Sequence, residues 1–455
     1  MIDLFTLDYY RRFFTQGHQR TLRAKKNILV SFISKAVSIV ISFLIVPLTL
    51  KYIGKVEYGI WMTLSSIIHW FAFFDIGLGN GLRNKLAEAL AKNEMKMARI
   101  YISSAFALIT CIAILMFIGF YIVAKFISWN KVFNTDIISN TELLRVVLMV
   151  FFLFSIGFVF QLLSSVLKSM QRYGLNDIIG IIGQLIGLGG IFILVKTTEG
   201  SLFNLCFVYA GKTPFVMLIA ALVLFLGSLK YLSPSIGFVS IKKALPLINL
   251  GFKFFINQIL YLITTQSSLI LVAQFFGPEE VTIYNLAVRY MTIATMAYMM
   301  VLTPFLTAFT EAYTKKEYDW IKNIIYRINK IWMLTSLATI MLVFLYKLFF
   351  RLWVGNAIEV PLPLIIALSI SGIIHTFYNK YSLFLNGIGK IQLQFYLLGM
   401  QAILFIPLSY LFYKLNFKLS SLVVAQIILY SIMAYFMVIQ YRKVINNSAK
   451  GVWNK

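Results

Sequence analysis

The sequence predicts an all-α integral membrane protein of about 12 transmembrane helices, arranged as two six-helix lobes related by a pseudo-two-fold axis along the membrane normal. Three observations lead there. The 455 residues are 60% hydrophobic and only 13% charged, with a mean hydropathy of +0.84, whereas soluble domains are about 25% charged. The apolar residues form continuous runs of roughly 20, the length that crosses a bilayer as a helix, and lack the alternation of barrel strands. Finally, the chain repeats itself at an offset of 223 residues.

Taken in order, residues 1–27 are polar and aromatic-basic (YYRRFF, LRAKK). They suit a cytoplasmic membrane surface and do not resemble a cleavable signal. Candidate spans follow at 28–50, 57–78, 99–123, 143–167, 175–195 and 202–229, which make an N-terminal lobe of 28–229. A cytoplasmic linker, 230–245, leads to spans at 246–274, 281–310, 328–346, 362–385, 392–412 and 419–440. These make a second lobe of 246–440, and 441–455 is a cytoplasmic tail. The segments on the side of the N-terminus hold 26 Lys and Arg and the opposite loops hold 9. That bias places both termini in the cytoplasm.

The repeat is carried by costly residues. Gly54 lands on Gly277, Glu57 on Glu280, Glu88 on Glu311, Ala89 on Ala312, Lys92 on Lys315 and Glu94 on Glu317. In FFDIGLGNGLRNKLAEALAKNE (73–94), Leu82, Leu86, Ala89 and Leu90 recur at helical spacing opposite Arg83, Lys85 and Lys92. This predicts an interfacial amphipathic helix after the second span. The three glycines let the chain turn. Gly81 lands on Pro304, so each half carries a helix breaker there.

The net charge of +25 is scattered between apolar runs, so no nucleic-acid partner is expected. Cys111 and Cys206 lie inside apolar runs and read as two small buried hydrophobes. No HExxH, CxxC, GxSxG or GxxxxGK[ST] occurs. The chain is therefore expected to have no catalytic residues, metal or cofactor, and not to be an enzyme.

Six cations fall within the spans and outside the loop segments counted above: Lys35, Arg145, Lys212, Lys253, Arg289 and Lys380. Past the first residue of each span, the only acids are Asp75 and Asp177. Intramembrane charges cost a few kcal/mol or more unless they face a cavity or a partner. Arg145 and Lys380 lie near span ends and read as snorkelling. Lys212 is central; Lys35, Lys253 and Arg289 either face a lumen or snorkel. Polar stripes favour the lumen: Ser31, Lys35, Ser38 and Ser42; Lys253, Asn257, Tyr261, Thr264 and Ser268; Asn285, Arg289 and Thr292. Ser and Thr in these stripes would serve equally as helix-packing contacts. The predicted substrate site is a cationic cavity of Lys35, Lys212, Lys253 and Arg289, suited to an anionic substrate such as a phosphate. Asp75 either pairs with a base such as Arg83 or acts as a coupling or gating acid. His69 and His375 read as packing residues.

VPLTLKYIGKVEYGIWMTL (46–64), together with the 73–94 stretch, resembles the N-terminal signature of Wzx-type O-antigen and polysaccharide flippases, within the multidrug/oligosaccharidyl-lipid/polysaccharide flippase superfamily. SSVLKSMQRYGLNDIIGIIGQL (164–185) and LFLNGIGKIQLQFYL (383–397) are similar to later segments of that family. The resemblance implies alternating access and a substrate of one oligosaccharide unit on undecaprenyl pyrophosphate, moved across the bacterial inner membrane. With it come membrane lipids, a polysaccharide polymerase and a chain-length regulator as partners, and a monomeric state. The cations would hold the pyrophosphate and the polar stripes the sugars. Alternatives are a small-molecule efflux transporter of the same superfamily, a non-transporting subunit of a glycan-assembly complex, and a membrane-embedded glycosyltransferase.

Overall fold

The structure is a computed structural model that describes residues 19–72, 74, 77–240, 242–243, 263, 266–303, 305–356 and 358–454. Among these residues it is helical with no strand. Among the described residues, nine helices are long and apolar enough to cross a membrane. The chain forms two compact units. The first is Met1–Gly54, Ile68–Lys131 and Asp136–Ile256; the second is Lys55–Ile67, Val132–Thr135 and Asn257–Lys455.

The first unit begins in α1 (Gln19–Phe71), 53 residues long with a kink at Gly54. Gly54 has φ 74° and ψ −179°, a conformation reserved for glycine. The predicted spans 28–50 and 57–78 both fall largely on α1, on either side of this kink. After it come α2 (Leu78–Ala91), α3 (Met95–Ala124), the short α4 (Trp129–Phe133), α5 (Asn140–Phe160), α6 (Leu162–Ser169), α7 (Tyr173–Thr197) and α8 (Leu202–Leu226). Ser139 and Ser201 start α5 and α8 by accepting the backbone N–H of Glu142 and Asn204, each at 3.3 Å.

In lipid, helices associate through close packing, and small residues permit it. Gly183, Gly187 and Gly190 make such a seam on α7 toward α8, where they face Val216, Lys212 and Val208. Gly157 of α5 receives the Pro214 ring of α8 in the same way.

The amphipathic helix is α2. It buries Leu78, Leu82, Leu86 and Ala89 and exposes Arg83 and Glu88. Only one of the glycines expected to turn the chain does so by its backbone. Gly77 takes the left-handed conformation at φ 71°, whereas Gly79 and Gly81 are helical, and Gly81 is buried. Gly81 is thus a packing residue and not a breaker. Its repeat mate Pro304 lies outside the described residues.

The second unit contains α9 (Gln266–Phe276), α10 (Pro278–Leu302), α11 (Phe305–Thr314), α12 (Tyr318–Val354), α13 (Leu362–Gly387), α14 (Gln392–Lys414) and α15 (Ser421–Ile445). Its centre is α13, against which α10, α11, α12 and α15 all pack. Lys55–Ile67 belongs here too. A side chain on Gly59 would collide with the Pro278 carbonyl. Thr282 Oγ1 donates to the Lys55 carbonyl at 2.5 Å, Ser66 Oγ to that of Gln266 at 2.6 Å, and Lys55 pairs with Glu279.

The repeat is visible in the backbone. Gly277, like Gly54, has positive φ (90°) before a helix. Asn93 and Lys316 both take left-handed φ, 58° and 60°. Beyond α5, a register of 218 aligns the halves: Arg172 N–H to Leu167 carbonyl matches Lys390 N–H to Leu385 carbonyl, at 2.9 and 3.0 Å.

Candidate functional site

Four helices of the second unit line a half-open cavity of about 310 Å³. Ser268 from α9, Tyr284, Asn285, Thr292 and Thr295 from α10, Ser371 and His375 from α13, and Gln426 and Tyr430 from α15 supply its polar lining. Ser268, Asn285 and Thr292 belong to the stripes the sequence shows. No Lys, Arg, Asp or Glu is among the described residues that line it.

The lining is pre-ordered. Gln426 Nε2 donates to Ser268 Oγ at 3.3 Å. Tyr58 Oη donates to Asn285 Oδ1 at a long 3.5 Å. The hydroxyls of Thr292 and Thr295 donate to carbonyls of their own helix at 2.9 Å, which leaves their lone pairs toward other donors. The His375 ring sits 5.3 Å from both Tyr378 and Tyr430. Gly372 keeps the wall open, since a side chain there would reach 3.4 Å from Thr295.

The predicted cations fall in different places. Arg289 is half-buried on α10, one helical turn from Asn285, and its charge reaches the Tyr58 hydroxyl. It does not line the cavity. Lys212 is half-buried on α8 in the first unit. Its stem lies over Gly187, where a Cβ would come within 2.6 Å of Cδ. Its ammonium stands 4.8 Å from the Tyr209 ring, and Tyr209 Oη is 3.1 Å from Thr49 Oγ1. Lys35 is exposed on α1, in the first unit. Lys253 and Asp75 lie outside the described residues. No group of His, Cys, Asp or Glu with metal-binding geometry occurs among the described residues.

Three other readings change. Lys380 does not snorkel: it is wholly buried. Its ammonium lies 4.1 Å from the ring centre of Phe377, 4.8 Å from Trp332 and 5.1 Å from Tyr381, and has no hydrogen-bond partner among the described residues. His375 is a cavity residue as well as a packing one. Cys111 is exposed, and only Cys206 is buried. Sequence reasoning missed Tyr284, Thr295 and Ser371, and it missed Gln426 and Tyr430 on α15. For α15 the available signal was an amide, Gln426, in the middle of the largely apolar 419–440 run.

Nine apolar helices of bilayer-crossing length among the described residues mark a multi-pass membrane protein, and the cavity lies against two of them, α13 and α15. Comparison with solved structures fixes the fold. The chain superposes on an inward-facing structure of a multidrug resistance MATE family transporter of the MOP superfamily with a TM-score of 0.73, covering 93% of this chain and 100% of that one at 13% identity. A MOP superfamily transporter from Pyrococcus furiosus, whose title reports reversed polarity of its binding pocket, matches with a TM-score of 0.58 over 96% and 98% at 14% identity. Residues 24–309 match the family described as Polysaccharide biosynthesis protein, and the chain belongs to that family. A Yersinia pseudotuberculosis protein whose proposed role is O-antigen export is 23% identical over 82% of this chain and 85% of its own length. A Salmonella typhimurium protein with a proposed role in O-antigen transport is 34% identical over 22% of each chain.

Proposed function

We propose that the chain is a flippase. It moves undecaprenyl-pyrophosphate-linked oligosaccharide units across the bacterial inner membrane by alternating access, for O-antigen or another surface polysaccharide. The observation that carries this reading is the kinship, over 82% of the chain, with a protein of proposed O-antigen export role. The chemistry agrees: half-buried Lys212 and Arg289 are the side chains that hold phosphate oxygens in a low-dielectric interior. The 26-to-9 bias of basic residues supports cytoplasmic termini. In this reading the protein acts as a monomer alongside a polymerase and a chain-length regulator.

Deletion in the native host, with lipid-linked oligosaccharides assayed by leaflet, tests it. Complete units held on the cytoplasmic side with loss of surface glycan are expected. Incomplete units would instead indicate an assembly subunit. Unchanged units together with lost drug resistance would indicate an efflux transporter, the activity named for the solved MATE relative.

A further inference from the structure

We infer that the cavity between α9, α10, α13 and α15 is a subsite for an uncharged, hydroxyl-rich ring, a sugar of the transported glycan. The inference rests on the flippase reading and narrows it: the sugar and the pyrophosphate are held by different residues.

The described lining argues against the alternatives. Among the described residues, the cavity wall offers a phosphate or an anionic sugar no Lys or Arg, and a cationic drug no Asp or Glu. The lining is nevertheless far from apolar. Amides and hydroxyls such as Asn285, Gln426, Ser268 and Ser371 both donate and accept, as sugar hydroxyls do. Gln426 Nε2 is committed to Ser268 at 3.3 Å, which leaves its Oε1 as an acceptor in a fixed place. The His375 ring lies 5.3 Å from that of Tyr430, tilted 47° to it. Flat aromatic faces next to fixed polar groups suit a ring that is apolar on its faces and polar on its rim. The volume of about 310 Å³ lies at the small end of ligand pockets, roughly 300–1,000 Å³. It suits a single ring and not a whole repeat unit.

The fold does not require this polarity. At the 223 offset, Ser268, Tyr284, Asn285 and Thr295 stand where the first half has Ile45, Trp61, Met62 and Ala72; Thr292, opposite His69, is the exception. At the 218 offset, Ser371, His375 and Gln426 stand where it has Leu153, Gly157 and Val208, while Tyr430 stands where it has Lys212. The first half fills these positions with largely apolar residues, so the polar set in the second half serves something other than packing.

The test uses the full chain in lipid nanodiscs and two probes. Saturation-transfer NMR with methyl glycosides of uncharged hexoses and N-acetylhexosamines reads the cavity. Phosphorus-31 line broadening of inorganic pyrophosphate reads the cations. Sugar-ring protons are expected to receive saturation, with glycerol as a control that receives none. Gln426→Leu and Asn285→Leu should each lower the sugar signal several-fold and leave pyrophosphate broadening intact; Lys212→Met should do the reverse. Monodisperse elution of each variant guards against misfolding. No sugar signal in the natural protein, or one that both leucine variants preserve, overturns the subsite. Loss of pyrophosphate broadening in Gln426→Leu would overturn it too, by making the cavity the anion site. Because leaflet analysis of the deletion strain reads transport alone, the flippase reading and the subsite can fail separately.

Discussion

The two units share their turns and differ in their interiors. At the turn after α2 and after α11, Glu88 and Glu311 each bind the lysine four residues on, at 2.7 and 2.5 Å. Each turn then passes through a left-handed residue, Asn93 or Lys316. Each closes with an N–H of Glu94 or Glu317 bonded to the carbonyl of Ala89 or Ala312, both at 2.9 Å. Deeper in the helices the match fails. Lys380 occupies the place of Leu162 at the 218 offset. Phe377 and Tyr381 replace Val159 and Leu163, and at the 223 offset Trp332 replaces Ile109. An aliphatic cluster in one unit is an aromatic cage around an ammonium in the other. The caps are what the architecture demands. The interior is where the two copies were free to diverge.

The largest expected effect comes from exchanging those interiors. A desolvated cation gains about 2 kcal/mol from an aromatic face, and the aliphatic site has none to offer. Leu162→Lys should lose about 3–5 kcal/mol, the scale of an uncompensated buried charge, and fail to give folded protein. Lys380→Leu should be neutral, or stabilising by about 1–4 kcal/mol, as for buried charges replaced by well-packed apolar groups. Thermal unfolding of both proteins in detergent reads this. Unfolding of Lys380→Leu would show that the lysine organises the rings around it.

Next in size is the effect on transport. Lys212 in the first unit and Arg289 in the second, each changed to Met, should cut surface glycan about 10- to 100-fold. That corresponds to losing a charged hydrogen bond of roughly 1.5–3 kcal/mol, with elution profiles unchanged. An effect at Arg289 alone would confine the anion chemistry to the second unit.

Much of this contrast was legible in the sequence, for identifiable reasons. The spans were legible because apolar runs of bilayer length have one low-energy solution. The amphipathic face of α2 and the Glu88–Glu311 correspondence were legible because charges are rare enough in this chain to act as markers. The burial of Lys380 was not, because distance from a span end says nothing about which neighbours surround a side chain. Phe377 and Tyr381 are sequence neighbours, but the cage is completed by Trp332, 48 positions away in sequence. The cavity was half legible. Ser268, Asn285 and Thr292 formed stripes by period, whereas Gln426 and Tyr430 share no stripe with them and meet them only through helix packing.

A smaller effect separates the matched turns themselves. Lys316 carries a left-handed φ of 60° that costs a non-glycine residue about 1–2 kcal/mol. Asn93, at 58°, is a residue that tolerates it. Lys316→Gly should therefore stabilise by up to about 1 kcal/mol, and Asn93→Gly by less. Equal shifts in melting temperature would mean that the amide of Asn93 contributes nothing to its turn.

The smallest effect is the titration of the two carboxylates. Glu88 accepts from Lys92 at 2.7 Å and from Lys85 at 2.9 Å, whereas Glu311 accepts from Lys315 alone, at 2.5 Å. Hydrogen bonds from Lys92 and then Lys85 hold the Glu88 carboxyl down at about 2, and Lys315 lowers that of Glu311. Both folded-state values lie below the ordinary 4.5. The contribution of each pair is thus complete above about pH 4.5 and fades as pH falls through the folded value. Glu88, with two donors, should stay ionised to lower pH than Glu311. Carboxylate infrared bands of the natural protein, compared with Glu88→Gln and Glu311→Gln, assign the two steps. Lys85→Met should move the Glu88 step toward that of Glu311. If it does not move, Lys92 alone sets the charge state, and the two turns are electrostatically the same device. Global stability should hardly respond, because both pairs are solvent-exposed and screened by salt. The repeat preserved Glu88 and Glu311 for the local order of the turn that each closes.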